Sequence, residues 1–284
     1  MTNDEPEITL TETPTDFQSQ AKFAYPNIKS LFRLFFVLLF YMIICGVVAG
    51  ILLLIVDGHH NRSPLLHSFF NLLSYVVALI LIIRYATKKS QRDATLNFGF
   101  NRIPGWIVPV VIISTLALVI GLQRVSDLIP MPKAVEKFFE NLFTKNIFSI
   151  ISLTIAAPIL EEILCRGIVL KGLLKNYPPH KAILISAIFF GAIHMNPWQA
   201  LPAFFGGLFI GWVFYKTQSI IPGMIIHATI NTSFVLVLFF LQRNQQDFLS
   251  LLGTPHYIIL CLLSAVIFSA GCLIIYKKTA QIDS

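Results

Sequence analysis

The chain has 284 residues, 56% of them hydrophobic and only 12% charged, with a mean hydropathy of +0.75. Soluble domains run at roughly 45–50% apolar and 25% charged, so this composition excludes a soluble fold and reads as a polytopic membrane protein, an all-α helix bundle. A net charge of +7 does not indicate nucleic acid, because the basic residues sit in short loops between apolar runs.

Residues 1–28 hold five of the fourteen acids and read as a flexible tail without a signal peptide. Apolar runs then recur at about 31–56, 65–84, 104–122, 146–174, 181–195, 200–215, 220–241 and 256–276. Most reach the roughly 20 residues that a helix needs to cross a bilayer. The runs at 181–195 and 200–215 are short, and Asn196-Pro197 separates them. Charge counting supports keeping both. Eight spans with a cytoplasmic N-terminus place fifteen Lys and Arg on the cytoplasmic side and six on the other. That asymmetry predicts both termini in the cytoplasm, and a bacterial cytoplasmic membrane suits the chain. The segment 124–147 mixes Lys, Glu and Phe and is expected as an amphipathic surface helix. Cys45, Cys165, Cys261 and Cys272 have no paired spacing, so neither a disulfide framework nor a Cys-type zinc site is indicated.

Charge inside the apolar runs is concentrated in the fourth. Glu161 and Glu162 are the only acids there, and Arg166 follows. A charge in hydrocarbon costs at least a few kcal/mol, so these residues need partners or a function. On a helix, Glu162 and Arg166 share a face and can pair, whereas Glu161 is turned about 100° from Glu162. Spacing therefore assigns Glu162 and Arg166 a structural role and leaves Glu161 for chemistry. The later runs supply Phe190 and His194, four apart, and His227 and Asn231, also four apart. Counted from the cytoplasmic ends, Glu161, His194, His227 and Asn231 lie roughly 12–20 Å deep. A buried base at that depth calls for a water-filled cavity among the fourth, fifth and seventh spans. Residues 1–145 carry almost no polar groups inside spans, which places the chemistry in the second half. Gly207 and Gly211 read as a packing seam. Taken singly, each residue has a plainer reading: His227 and Asn231 as interhelical hydrogen-bonders, Glu162 and Arg166 as a buried pair fixing register.

Glu161-Glu162-xxx-Arg166, Phe190-xxx-His194 and His227-xxx-Asn231, in that order, resemble the signature of the CPBP family of intramembrane proteases. This family includes the CAAX prenyl endopeptidases and bacteriocin-processing or immunity-type proteins. Ala157-Pro158 before the glutamates, Gly167 after Arg166 and Ser219-Ile-Ile-Pro-Gly before His227 extend the likeness over about 145–240. It implies a catalytic core at 146–241, preceded by the tail 1–28 and spans 29–145, and followed by a last span and tail at 242–284. The implied activity is endopeptidase cleavage of a membrane-associated peptide or protein at the bilayer, with no nucleic-acid partner. Glu161 would activate water with help from His194, while His227 and Asn231 would bind the oxyanion. Glu162, Arg166 and Phe190 would support them. Glu161, His194 and His227 would be ligands only if a divalent metal such as zinc were bound. Metal-free glutamate catalysis is the preferred expectation, since Asn is a natural oxyanion donor and a poor zinc ligand. The alternatives are a non-catalytic scaffold or immunity protein of the same fold, and a proton-coupled transporter, which a membrane Glu–His set would also suit.

Overall fold

Eight long helices organise the described residues of the computed structural model, which are 24–57, 63–90, 97–127, 129–135, 137, 144–237 and 254–280. They are α1 (Ile28–Asp57), α2 (Pro64–Ser90), α3 (Ile107–Asp127), α4 (Ile147–Asn176), α5 (Pro179–Ala192), α6 (Pro197–Thr217), α7 (Ile221–Leu236) and α8 (Thr254–Ala280). Each overlaps one of the eight apolar runs, and no strand occurs among the described residues. The tail expected over residues 1–28 lies outside the described residues as far as 23, as does part of the surface segment expected over 124–147.

Five helices (α1, α2, α4, α6 and α8) are long and apolar enough to cross a bilayer, and α3, α5 and α7 contribute shorter apolar stretches. Burial separates centre from periphery. In their most apolar windows only 11% of α1 and 17% of α8 is buried, against 33% of α4 and 39% of α6. The outer face of α1 presents Phe32, Phe36, Phe40, Ile43, Val47 and Ile55 to the surroundings. An apolar face of that extent belongs in lipid, so this is an integral membrane protein.

Two apolar clusters hold the bundle. In the first, Leu34 and Leu38 of α1 and Leu79 and Ile82 of α2 pack with Leu164 and Ile168 of α4, Phe190 of α5 and Phe214 of α6. In the second, Ile107 and Val111 of α3 meet Phe209, Ile210 and Val213 of α6, Ile226 of α7 and Ile275 of α8. Helix α6 joins the two. It approaches α5 closely because Gly207 and Gly211 carry no side chain. A Cβ on Gly207 would sit 3.3 Å from the Ala187 Cα, and one on Gly211 would sit 3.2 Å from the Ile183 methyl. The packing seam expected from their spacing is present.

One end of the bundle gathers several loop contacts and lysines. Asn176, ending α4, donates to the Ala24 carbonyl at 2.8 Å, just before α1. Asn101, ahead of α3, donates to the Gln218 carbonyl after α6 at 2.7 Å. Lys278 lies 4.8 Å from the Trp106 ring, and Lys216 lies 4.6 Å from the Tyr276 ring. Lysines over aromatic rings at helix ends are what a membrane interface selects.

Candidate active site

Helix α4 departs from the regular geometry expected of it. Two π-helical stretches, Ser152–Ala156 and Ile163–Leu170, flank an α-helical segment, Ala157–Glu162, that ends on the glutamate pair. Such π segments frequently mark functional sites, because they change the angular offset between neighbouring side chains. The first also offers a backbone acceptor to α7: the Asn231 amide donates to the Leu153 carbonyl at 2.8 Å.

The expected pair forms. Arg166 Nη1 donates to Glu162 Oε1 at 2.9 Å, with both side chains fully buried. Two further contacts offset the cost of burying the guanidinium. Nη2 donates to the Gly207 carbonyl of α6 at 3.1 Å, and the guanidinium lies 4.5 Å from the Phe190 ring centre. Gly207 is thus both the packing seam and an acceptor for Arg166, a second role that the spacing did not reveal. Glu162 has another partner in His227, whose Nδ1 lies 3.2 Å from the same Oε1. A carboxylate already paired with arginine can only accept, so His227 Nδ1 is the donor and Nε2 points the other way. The residue expected only to hold the helix in place also orients a histidine.

Phe190 is the hub. Its ring meets those of His194 and His227 edge-on, with centroids 5.3 and 5.4 Å away, in addition to the Arg166 guanidinium. The two histidines are thereby brought to one aromatic ring, His227 from α7 and His194 from the turn after α5. His194 lies in the turn beyond the end of α5, not within the span as expected. Its Nδ1 is 2.8 Å from the Phe190 carbonyl, an obligate acceptor, so Nδ1 carries the proton and Nε2 keeps a lone pair. Met195, the next residue, takes a left-handed φ of 54°, a conformation that costs a non-glycine residue about 1–3 kcal/mol. Asn196 then caps α6 through the Gln199 amide at 2.9 Å. This tight turn sets His194 at the junction of α5 and α6.

Glu161 retains 9% of its surface, and the Arg166 pair is made with Glu162 instead, as the helical offset implies. It is not free of partners, however. The Tyr75 hydroxyl, on α2, donates to Glu161 Oε1, while Oε2 is buried without a hydrogen-bond partner. The expectation that residues 1–145 stay out of the polar cluster therefore fails. The available signal was a stripe on α2: His67, Asn71 and Tyr75 recur every four residues, with Asn71 Nδ2 lying 3.2 Å from His67 Nδ1.

Among the described residues, no three His, Cys, Asp or Glu side chains gather closely enough to share a metal ion. As placed, Glu161, His194 and His227 do not form a three-ligand set, and no step below is routed through a metal. The expected water-filled cavity is not one of the two clefts of about 410 and 360 Å³ on the surface. The first lies beside Leu66 and Phe148 and the second between α3 and α7, on Ile112, Leu116, Thr229 and Leu236.

Residues 143–233 match the family model described as type II CAAX prenyl endopeptidase Rce1-like, in agreement with the CPBP resemblance of the motifs. At family level this segment is similar to intramembrane proteases of the CAAX type. No curated protein and no solved structure matches the chain.

Proposed function

We propose that the protein is a membrane-embedded endopeptidase in which Glu161 is the general base for hydrolysis of a membrane-associated peptide or protein. The supporting observation is that Glu161 has one carboxylate oxygen held by a neutral Tyr75 hydroxyl and the other buried without a partner; Glu162 Oε2 is likewise unpartnered, but its other oxygen is committed to Arg166 and His227. Leaving a buried acceptor unsatisfied costs about 1–3 kcal/mol or more, a cost that a bound water would remove. Such a water would lie within hydrogen-bond reach of the base, as general-base catalysis requires.

The neighbouring groups divide the remaining work. His194, with its proton on Nδ1, presents an Nε2 lone pair that accepts from the same water. His227, held by Glu162, presents Nε2 on its far side. A proton on that nitrogen donates to the developing oxyanion, while the proton that Glu161 takes from the attacking water passes on to the leaving amine as the C–N bond breaks, which restores the Glu161 carboxylate. Asn231 spends one of its two N–H groups on the Leu153 carbonyl and has a second for the oxyanion. Arg166 and His227 both hold the same Glu162 oxygen, which fixes the imidazole's orientation. The Lys-rich end of the bundle faces the cytoplasm, with eight crossings and both termini inside. Candidate substrates include peptides ending in a prenylated cysteine motif, the type in the name of the matching family, as well as unprenylated membrane peptides.

One observation favours a second reading, a non-catalytic scaffold of this fold. Glu162, Arg166, His194, His227 and Asn231 all have partners inside the molecule and could serve packing alone. The purified protein in liposomes, offered fluorogenic prenylated and unprenylated peptides, separates the two. Cleavage should fall at least about 100-fold in Glu161→Gln and by about 100-fold in Asn231→Ala. Equal turnover by wild type and both variants would refute the assignment of these residues.

A further inference from the structure

We infer that Tyr75, in the first half of the chain, is a positioning residue for Glu161, so that the site is completed by a helix outside the segment matching the protease family. The inference rests on the reading of Glu161 as the base. Helix α2 is tied to α4 by buried apolar contacts, with Leu79 and Ile82 in the same cluster as Leu164 and Ile168. Tyr75 lies one turn before Leu79 on α2, and its hydroxyl donates to Glu161 Oε1 across 86 positions of sequence. Among the described residues Tyr75 is the hydrogen-bond partner of this carboxylate, and Oε2 is unpartnered.

The consequence follows from the torsional freedom of a glutamate. The terminal torsion of its side chain is broad and roughly two-fold, so an untethered carboxylate rotates and exchanges its oxygens. A single donor on Oε1, supplied from a separate rigid helix, removes that freedom and leaves Oε2 as the presented oxygen. Glu162 also has Oε1 held and Oε2 unpartnered, but its donors are Arg166 on its own helix and His227, so its charge is committed to a fully buried pair. The phenol can hold the carboxylate without adding a charge that would compete with the substrate. A misplacement of about 1 Å at a reacting group can cost about 100-fold in rate. Losing the tether should therefore be visible in turnover and not in binding.

The experiment compares wild type, Tyr75→Phe, Glu161→Gln and the double variant, each in liposomes with the fluorogenic peptides above. Tyr75→Phe removes one hydroxyl and keeps the ring, and a thermal melt verifies the fold. The expected result is a 10- to 100-fold lower kcat, on the order expected for loosened positioning, with KM unchanged within about twofold. The carboxylate stretch of Glu161, isolated as the infrared difference between wild type and Glu161→Gln, should shift when the same difference is taken in the Tyr75→Phe background. A purely structural tyrosine would move neither quantity. Unchanged kcat, an unmoved band, or a loss confined to KM would each overturn the inference while leaving Glu161 as base. Full cleavage by Glu161→Gln would instead overturn the functional reading on which it rests.

Discussion

Replacing Arg166 with methionine tests whether the buried ion pair is a source of stability or a liability held in place by its partners. Arg166 and Glu162 are both fully buried, and the guanidinium is shared among Glu162, the Gly207 carbonyl and the Phe190 ring. Arg166→Met leaves the Glu162 charge with only a 3.2 Å histidine contact. Removing one partner of a buried pair costs about 3–5 kcal/mol, and at about 1.4 kcal/mol per tenfold this lowers the folding equilibrium constant by more than about 100-fold. Most of that loss reflects the stranded charge, so Glu162→Gln with Arg166→Met should recover more than half of it. Activity should not return, because His227 Nδ1 would then face a neutral amide. Reversible unfolding in mixed detergent micelles measures the stabilities, and peptide cleavage the activity. An Arg166→Met protein within about 0.5 kcal/mol of wild type, or a double variant no better than the single, would refute the claim that charge burial governs this site.

Two further substitutions test the packing around it. Gly223→Ala would place a Cβ 2.9 Å from both Glu162 Oε2 and the Ile210 methyl, an overpacking expected to cost about 1–3 kcal/mol and to depress cleavage by displacing Glu162. Gly105→Ala, with nothing within 4 Å of its Cβ, is the control, and equal melting temperatures for the two would remove the steric argument. Asn176→Ala breaks the bonds that tie Ala24 and Pro26 to the end of α4. Amide exchange at Ala24 should rise by about fivefold, in keeping with about 1 kcal/mol for the bond lost by that amide, while the bundle melts unchanged.

Much of the fold was legible because bilayer helices announce themselves by length and apolarity, and each of the eight runs overlaps a helix. The Glu162–Arg166 pair was legible for a related reason: four residues on one helix determine a shared face whatever surrounds them. The contacts that complete the site were not. His227 meets Glu162 and not Glu161, Asn231 reaches the Leu153 carbonyl, Arg166 takes the Gly207 carbonyl, and Tyr75 reaches Glu161 from α2. The two π stretches in α4 also escape a 3.6-residue periodicity.

By itself, then, the sequence determined which segments are helical, which side chains share a helical face, and that the charged pair on α4 needs compensation. Those are local quantities, set by backbone periodicity and by the cost of charge in hydrocarbon. Only the tertiary structure decided which carboxylate oxygen is occupied and which is left open. That choice depends on how α2, α6 and α7 rotate and slide against α4, through apolar packing spread over many residues and without a spacing rule that links positions 75 and 161.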